Sequence, residues 1–192
     1  MAKKTQHPLV VGLIGTAGSG KDTAASYIKH KYKAEEFRYS YLLVKALEVF
    51  GIEVSRDNLA WLMNILKRKY GKDVLTKAME KTIRELSHSK LIVINGLRLP
   101  SDYTFLRSFK RNHLVFLNAS EKIRWQRVRT RKEKADDNVT FAQFKKLISG
   151  ENEKHINKLG KKADYVVMNN GDLREFHQGL DKVMEEIENS KS

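Results

Sequence analysis

The feature that most constrains this chain is an apolar run that ends in a glycine-rich loop. Leu9-Val10-Val11-Gly12-Leu13-Ile14 is continuous and carries β-branched residues, the mark of a strand covered on both faces. It leads into Gly15-Thr16-Ala17-Gly18-Ser19-Gly20-Lys21-Asp22-Thr23. This segment fits G-x-x-x-x-G-K as far as Lys21. Its glycines let the backbone curl so that several N–H groups face one anion. Ala24, Tyr27, Ile28 and Lys31 continue as a helix, whose N-terminal dipole adds positive potential at the same point. The order strand, loop, helix predicts a nucleoside triphosphate cradled by Gly15, Ala17, Gly18, Ser19 and Gly20, with Lys21 on the β- and γ-phosphates. The motif leaves open what the triphosphate is used for.

The rest of the chain alternates in the same way. Residues 91–94, 114–117 and 165–168 read as further strands, and 36–39 as a weaker one. Between them lie amphipathic helices: Leu42, Leu43, Ala46, Leu47 and Phe50 form one face, Leu59, Leu62, Met63 and Leu66 a second, Leu75, Met79, Ile83 and Leu86 a third. Gly51 and Gly71 are placed to end the first two. Thr140 with Gln143, and Asp172 with Glu175, have the spacing of helix-start capping pairs. Repeated strand–helix units predict an α/β fold in three layers around a roughly five-stranded parallel sheet. No Gly/Ser linker interrupts it, so one domain is expected over residues 1–192. Its core would be about 8–39, 91–119 and 163–190, with a helical lobe at about 40–90 and an Arg-rich lid at about 120–162.

Charge points to an anionic partner. Lys plus Arg number 37 against 23 Asp plus Glu, a net charge of +14. Lys-rich solvated helix faces account for part of that excess. Cysteine is absent, which excludes disulfides and thiol catalysis, and the six histidines show no paired metal spacing. The first apolar run is too short to cross a bilayer, and the expected location is the cytoplasm, without a membrane partner.

Several residues are candidates for chemistry. Asp22 stands where the general pattern has a Mg²⁺-binding Ser or Thr, and Thr23 follows it. Either can hold Mg²⁺, and the Asp22 carboxylate can orient an acceptor; the plainer role for Asp22 is to favour the helix dipole. Arg98 lies just past a buried strand's C-terminal end, where open α/β sheets bind ligands, and can hold an acceptor phosphate or pair with Asp102. Asn95 contributes a hydrogen-bonding amide or caps a turn beside Gly96. Arg124, Arg127 and Arg131 fall on one helix face and can neutralise charge on transferring phosphates. Lys132, Lys134, Asp136 and Asp137 read as a lid tip. Arg38, Ser40 and Lys45 lie at the entry to the helical lobe, with Arg68, Lys69 and Lys72 at its turn. Trp61 and Tyr70 suit base stacking or, at helical spacing, a core.

Taken together these segments resemble a known group. Gly18-Ser19-Gly20-Lys21-Asp22-Thr23 is similar to the GKDT variant of the P-loop small-molecule kinases, found in deoxynucleoside monophosphate kinases and their relatives. The wider nucleoside monophosphate kinase superfamily, dephospho-CoA kinase-like proteins included, is matched in order and spacing. Ile94-Asn95-Gly96-Leu97-Arg98 with Pro100 and Asp102 resembles its D-G-x-R-x-P-x-E segment, and 163–173 its final strand and N-x-G loop. The resemblance implies an ATP- and Mg²⁺-dependent kinase, monomeric or homodimeric, with Asn170 and Gly171 beside the adenine and Arg124 and Arg127 on the nucleotide. It implies a nucleoside or deoxynucleoside monophosphate as acceptor, with dephospho-CoA, a ribose hydroxyl acceptor, as the alternative. Asn95 departs from the Asp common at its position. Readings from other classes are a nucleic-acid-binding ATPase, suggested by the charge, and a nucleotide-binding protein without turnover.

Overall fold

The structure is a computed structural model that describes residues 7–131 and 140–190. Five strands, β1 (Leu9–Ile14), β2 (Glu35–Arg38), β3 (Leu91–Asn95), β4 (Arg111–Asn118) and β5 (Tyr165–Met168), form one parallel sheet in the order β2-β3-β1-β4-β5. All six residues of β1 are buried, because the strand is central and both its faces are covered. On one face Val11, Leu13, Val93, Val115 and Leu117 pack against α1 (Lys21–Tyr32) and α9 (Leu173–Asn189) through Ala24, Ile28, Phe176, Leu180 and Met184. On the other, Val10, Ile14, Ile92, Ile94 and Leu114 meet Met79, Ile83, Phe105, Leu106, Ile156 and Leu159. These six come from α4 (Val74–Leu86), α5 (Pro100–Arg107) and α8 (Glu151–Gly160). The expected three layers and five parallel strands are therefore present.

The two excursions are helical. α2 (Tyr39–Val49), α3 (Arg56–Tyr70) and α4 lie between β2 and β3; α6 (Glu121–Arg131), α7 (Phe141–Ile148) and α8 lie between β4 and β5. α4, expected in the helical lobe, carries Met79 and Ile83 into the core, and α8, expected in the lid, carries Ile156 and Leu159 there, so both segments cover the sheet. None of the described side chains of α3 is buried, and Trp61 and Tyr70 are half exposed rather than part of a core. Gly51 and Gly71 have φ of 66° and 94°, which ends α2 and α3 at little steric cost. Both capping pairs form: Thr140 Oγ1 accepts from Gln143 N at 3.3 Å, and Asp172 Oδ1 from Glu175 N at 2.8 Å.

Candidate active site

The glycine-rich loop joins β1 to α1 at the C-terminal edge of the sheet, the edge where open parallel sheets take ligands. Gly18 and Gly20 have φ of 77° and 97°, which turns the loop around a central point. A Cβ at Gly15 would lie 2.5 Å from Ser19 Oγ and 2.6 Å from the Leu117 carbonyl, so only glycine fits there. Thr16 is buried, Ala17 exposed and Thr23 exposed. Ser19 is fully buried, and its Oγ has no hydrogen-bond partner among the described residues. A buried hydroxyl without a partner is costly unless an acceptor arrives, and a phosphate oxygen would supply one. Lys21 Nζ donates to the Gly15 and Thr16 carbonyls at 2.7 and 3.1 Å. The loop thus fits a polyphosphate in backbone shape, charge and its unpartnered hydroxyl.

Three later elements brace this loop. Asn169, after β5, is buried and donates Nδ2 to the Ser19 carbonyl at 3.0 Å. Arg124 on α6 is buried; its Nε donates to Ala119 O at 3.0 Å and its guanidinium lies over the Phe144 ring at 5.6 Å. Its Nη1 stands 3.5 Å from the Ala17 carbonyl, and burial lowers its pKa. Arg127 was expected to close on phosphates. It instead donates to Asn169 O at 2.9 Å, Asn169 Oδ1 at 3.1 Å and Gly171 O at 3.4 Å. It ties α6 to the loop that the resemblance put beside the adenine. Asn170 uses its side chain there too, accepting from Ser120 N at 2.8 Å. Arg131 ends α6; its side chain, like Lys132, Lys134, Asp136 and Asp137, lies outside the described residues.

A second polar group sits beside the loop. Asn95, at the end of β3 and buried, donates Nδ2 to Asp22 Oδ1 at 3.0 Å and to Glu36 Oε1 at 3.1 Å. Arg38, at the end of β2, pairs with Glu36 at 2.5 Å and Asp22 at 3.4 Å. One amide thus serves two carboxylates. An aspartate at position 95 would add a third negative charge, which explains the asparagine physically. Among the described residues no group of three or more His, Asp or Glu converges as a metal cage, so a cation here would rest on Asp22, with Thr23 one residue on and Glu36 nearby.

The other expected residues scatter. Arg98 is exposed, and Asp102 grips its backbone: Arg98 N and Leu99 N donate to Asp102 Oδ2 at 2.8 and 2.9 Å. The side-chain pair between Arg98 and Asp102 is not formed. Ser40 is exposed in the first turn of α2, and Lys45 pairs with Glu48 at 3.0 Å over the Tyr41 ring. Arg68, Lys69 and Lys72 are exposed around the α3–α4 turn. Glu36, Asn169 and Glu153 of α8 have no local motif. Burial pushes the Glu153 carboxyl above its ordinary range, against the pull of Lys21, Arg124, the Ala17 amide and Arg98.

Comparison with known proteins agrees with this geometry. A UPF0200 protein of Pyrococcus horikoshii is 25% identical over 183 residues, covering 93% of this chain and 97% of that protein. A shikimate kinase from Bacteroides thetaiotaomicron superposes with a TM-score of 0.64 at 14% identity, covering 94% of this chain and 98% of that one. A gluconokinase from Sinorhizobium meliloti does so with a TM-score of 0.55 at 17% identity, covering 97% and 99%. At these identities the two kinases establish a shared fold, the P-loop kinase fold. No helix among the described residues is long and apolar enough to cross a membrane. The AAA domain family matches residues 11–155, most of the chain and all of the nucleotide loop, and the chain belongs to that family.

Proposed function

We propose that the protein is an ATP-dependent kinase that moves the γ-phosphoryl group to a small acceptor. The observation that carries this is the cradle of Gly15–Lys21, where the Ser19 hydroxyl is buried without an acceptor beside a lysine and a helix N-terminus. In this reading the loop amides, Ser19 and Lys21 hold the donor's β- and γ-phosphates. Arg124 adds positive charge from α6, and Asn170 and Gly171 flank the base. Asp22 and Thr23 hold Mg²⁺, which when bound offsets the charge of the phosphate oxygens. Arg98 and Arg38 receive the acceptor. The new P–O bond forms as the bond from the γ-phosphorus to the bridging oxygen breaks, and ADP leaves. The residues contribute position and charge neutralisation, with no covalent intermediate.

The acceptor in this proposal is a nucleoside or deoxynucleoside monophosphate, whose phosphate suits Arg98. Glu36 favours a second acceptor class. Its carboxylate, beside Asp22, suits a sugar hydroxyl, as in transfer to dephospho-CoA, because a hydroxyl gains from a nearby base. The test is a transfer screen. The protein, ATP and Mg²⁺ are mixed with each ribo- and deoxynucleoside monophosphate and with dephospho-CoA, and ADP and product are followed by chromatography. ADP formation that depends on one nucleotide supports the first class. Product from dephospho-CoA alone supports the second. ATP bound with no transfer to any acceptor overturns the kinase reading.

A further inference from the structure

One charged group in the phosphate cradle is not part of the transfer scheme. Glu153 lies in the first turn of α8, and its side chain is turned towards the glycine-rich loop. Its Oε2 is shut off from solvent and accepts no hydrogen bond from the described residues. The groups acting on the carboxylate are Lys21, Arg124, the Ala17 amide and Arg98. Three of the four are groups assigned above to phosphates, and the fourth is assigned to the acceptor. One turn further along α8, Asn157 joins Thr16 and Arg124 in lining a cavity of about 300 Å³. The same face of the helix therefore borders the loop over two turns.

A carboxylate and a phosphate cannot share these cations without mutual repulsion. The two ends of α8 differ in how firmly they are held. Its C-terminal half is anchored by Ile156 and Leu159 in the core, and Gly160 sits against the Phe116 ring. Its N-terminus follows Gly150, which offers no side-chain cap to the first turn. The end that carries Glu153 is held by backbone bonds from Glu153 N and Lys154 N to the Gly150 carbonyl, at 3.1 and 3.2 Å, without a side-chain cap.

We propose that Glu153 is a tethered anion that fills the phosphate cradle when no donor is bound, so that a triphosphate must displace it and loosen the first turn of α8. This rests on the reading that the cradle takes a triphosphate. Glu153 then sets the threshold concentration for donor binding, because only molecules with the carboxylate swung out are competent.

The test is titration calorimetry with ATP and, separately, inorganic triphosphate on the full chain and the variants Glu153→Gln and Glu153→Ala. Lys158→Gln, exposed on the same helix, is the control. Both Glu153 variants should bind each ligand about tenfold tighter, the gain expected if about one molecule in ten has a free cradle. The control should match the wild type. In the wild type, triphosphate should speed amide hydrogen exchange in the first turn of α8. Equal affinity in wild type and variants overturns the proposal and leaves the kinase reading intact. Weaker binding in the variants also overturns it and makes Glu153 part of the donor site. Binding of neither ligand by any of the proteins overturns the kinase reading, and this proposal with it.

Discussion

Asn169 and Ser19 stand 150 positions apart in sequence and are joined by one buried hydrogen bond, Nδ2 to the carbonyl oxygen at 3.0 Å. The bond fixes the floor of the phosphate loop from outside. The same asparagine accepts from Arg127, so loop, α6 and the segment after β5 share one residue. A Cβ at Gly20 would run into its Nδ2, which shows how closely the pieces fit.

Asn169→Ala should therefore cost stability and donor affinity together. The loss of a buried polar partner is worth about 1–3 kcal/mol. Urea unfolding should show a lower midpoint, and ATP titration a weaker affinity. A variant as stable as the wild type that binds ATP equally well would remove Asn169 from the site.

Lys21→Met should leave the fold in place and remove transfer. Lys21 meets the loop through carbonyl oxygens, while the core beneath is built from β1 and α1. Loss of one charged group that stabilises the transition state lowers turnover by about 100-fold or more. Circular dichroism checks the fold, and ADP release with the best acceptor checks the rate.

Asn95→Asp should destabilise the protein when no divalent cation is present. The new carboxylate would face Asp22 and Glu36, and both would lose the amide donor they now share. A cost of about 1–3 kcal/mol is expected. Mg²⁺ should restore part of it, because a ligand that binds only the folded form stabilises it. The comparison is thermal unfolding of variant and wild type with Mg²⁺ and with a chelator. In parallel, Asp22→Ala should lower turnover more than Asn95→Ala if Asp22 supplies the working carboxylate.

Acid should expose the worth of Asp164. Its carboxylate pairs with Arg107 at 2.9 Å and accepts from Leu114 N at 2.7 Å. Burial acts to raise its pKa, but Arg107 and the Leu114 amide outweigh it, and the folded value lies below the ordinary 3.8. A carboxylate with a lower pKa folded than unfolded stabilises the fold above its unfolded value. That contribution is lost as pH falls from 3.8 through the folded value. The stability gap between wild type and Asp164→Asn should be widest near neutral pH and close in that acid range. A gap independent of pH would assign the contact no electrostatic role.

What the sequence revealed was local. Leu9–Ile14 and the loop after it announce themselves because a buried strand needs an unbroken apolar run and a tight anion turn needs glycine at fixed spacing. The helix starts at Thr140 and Asp172 were legible for the same reason: a cap and its partner are three residues apart. Asn169 and Glu36 were not, since the first acts on a residue 150 positions away and the second on one 59 away. Glu153 reads as one more charge on a surface helix. The arginines of α6 were found as a face, but their targets were not. Burial of Arg124 and the carbonyls around Arg127 depend on how α7 and the last loop return to the sheet. The core role of Met79 and Ile83, at helical spacing within the expected helical lobe, is hidden in the sequence because periodicity gives a face without saying what it faces.

The sheet order also has a consequence for a chain made from one end. β1 precedes β2 to β5 along the chain, yet it takes the central place, flanked by β3 and β4. Its loop is finished only when Asn169 arrives, 150 residues after Ser19. At ordinary rates of synthesis that is a wait of roughly 8–30 s. Until β4 is complete at Asn118, within that wait, β1 lacks at least one of its two neighbours. A nascent chain cut short before residue 169 would carry the whole glycine-rich motif and still lack the brace beneath it.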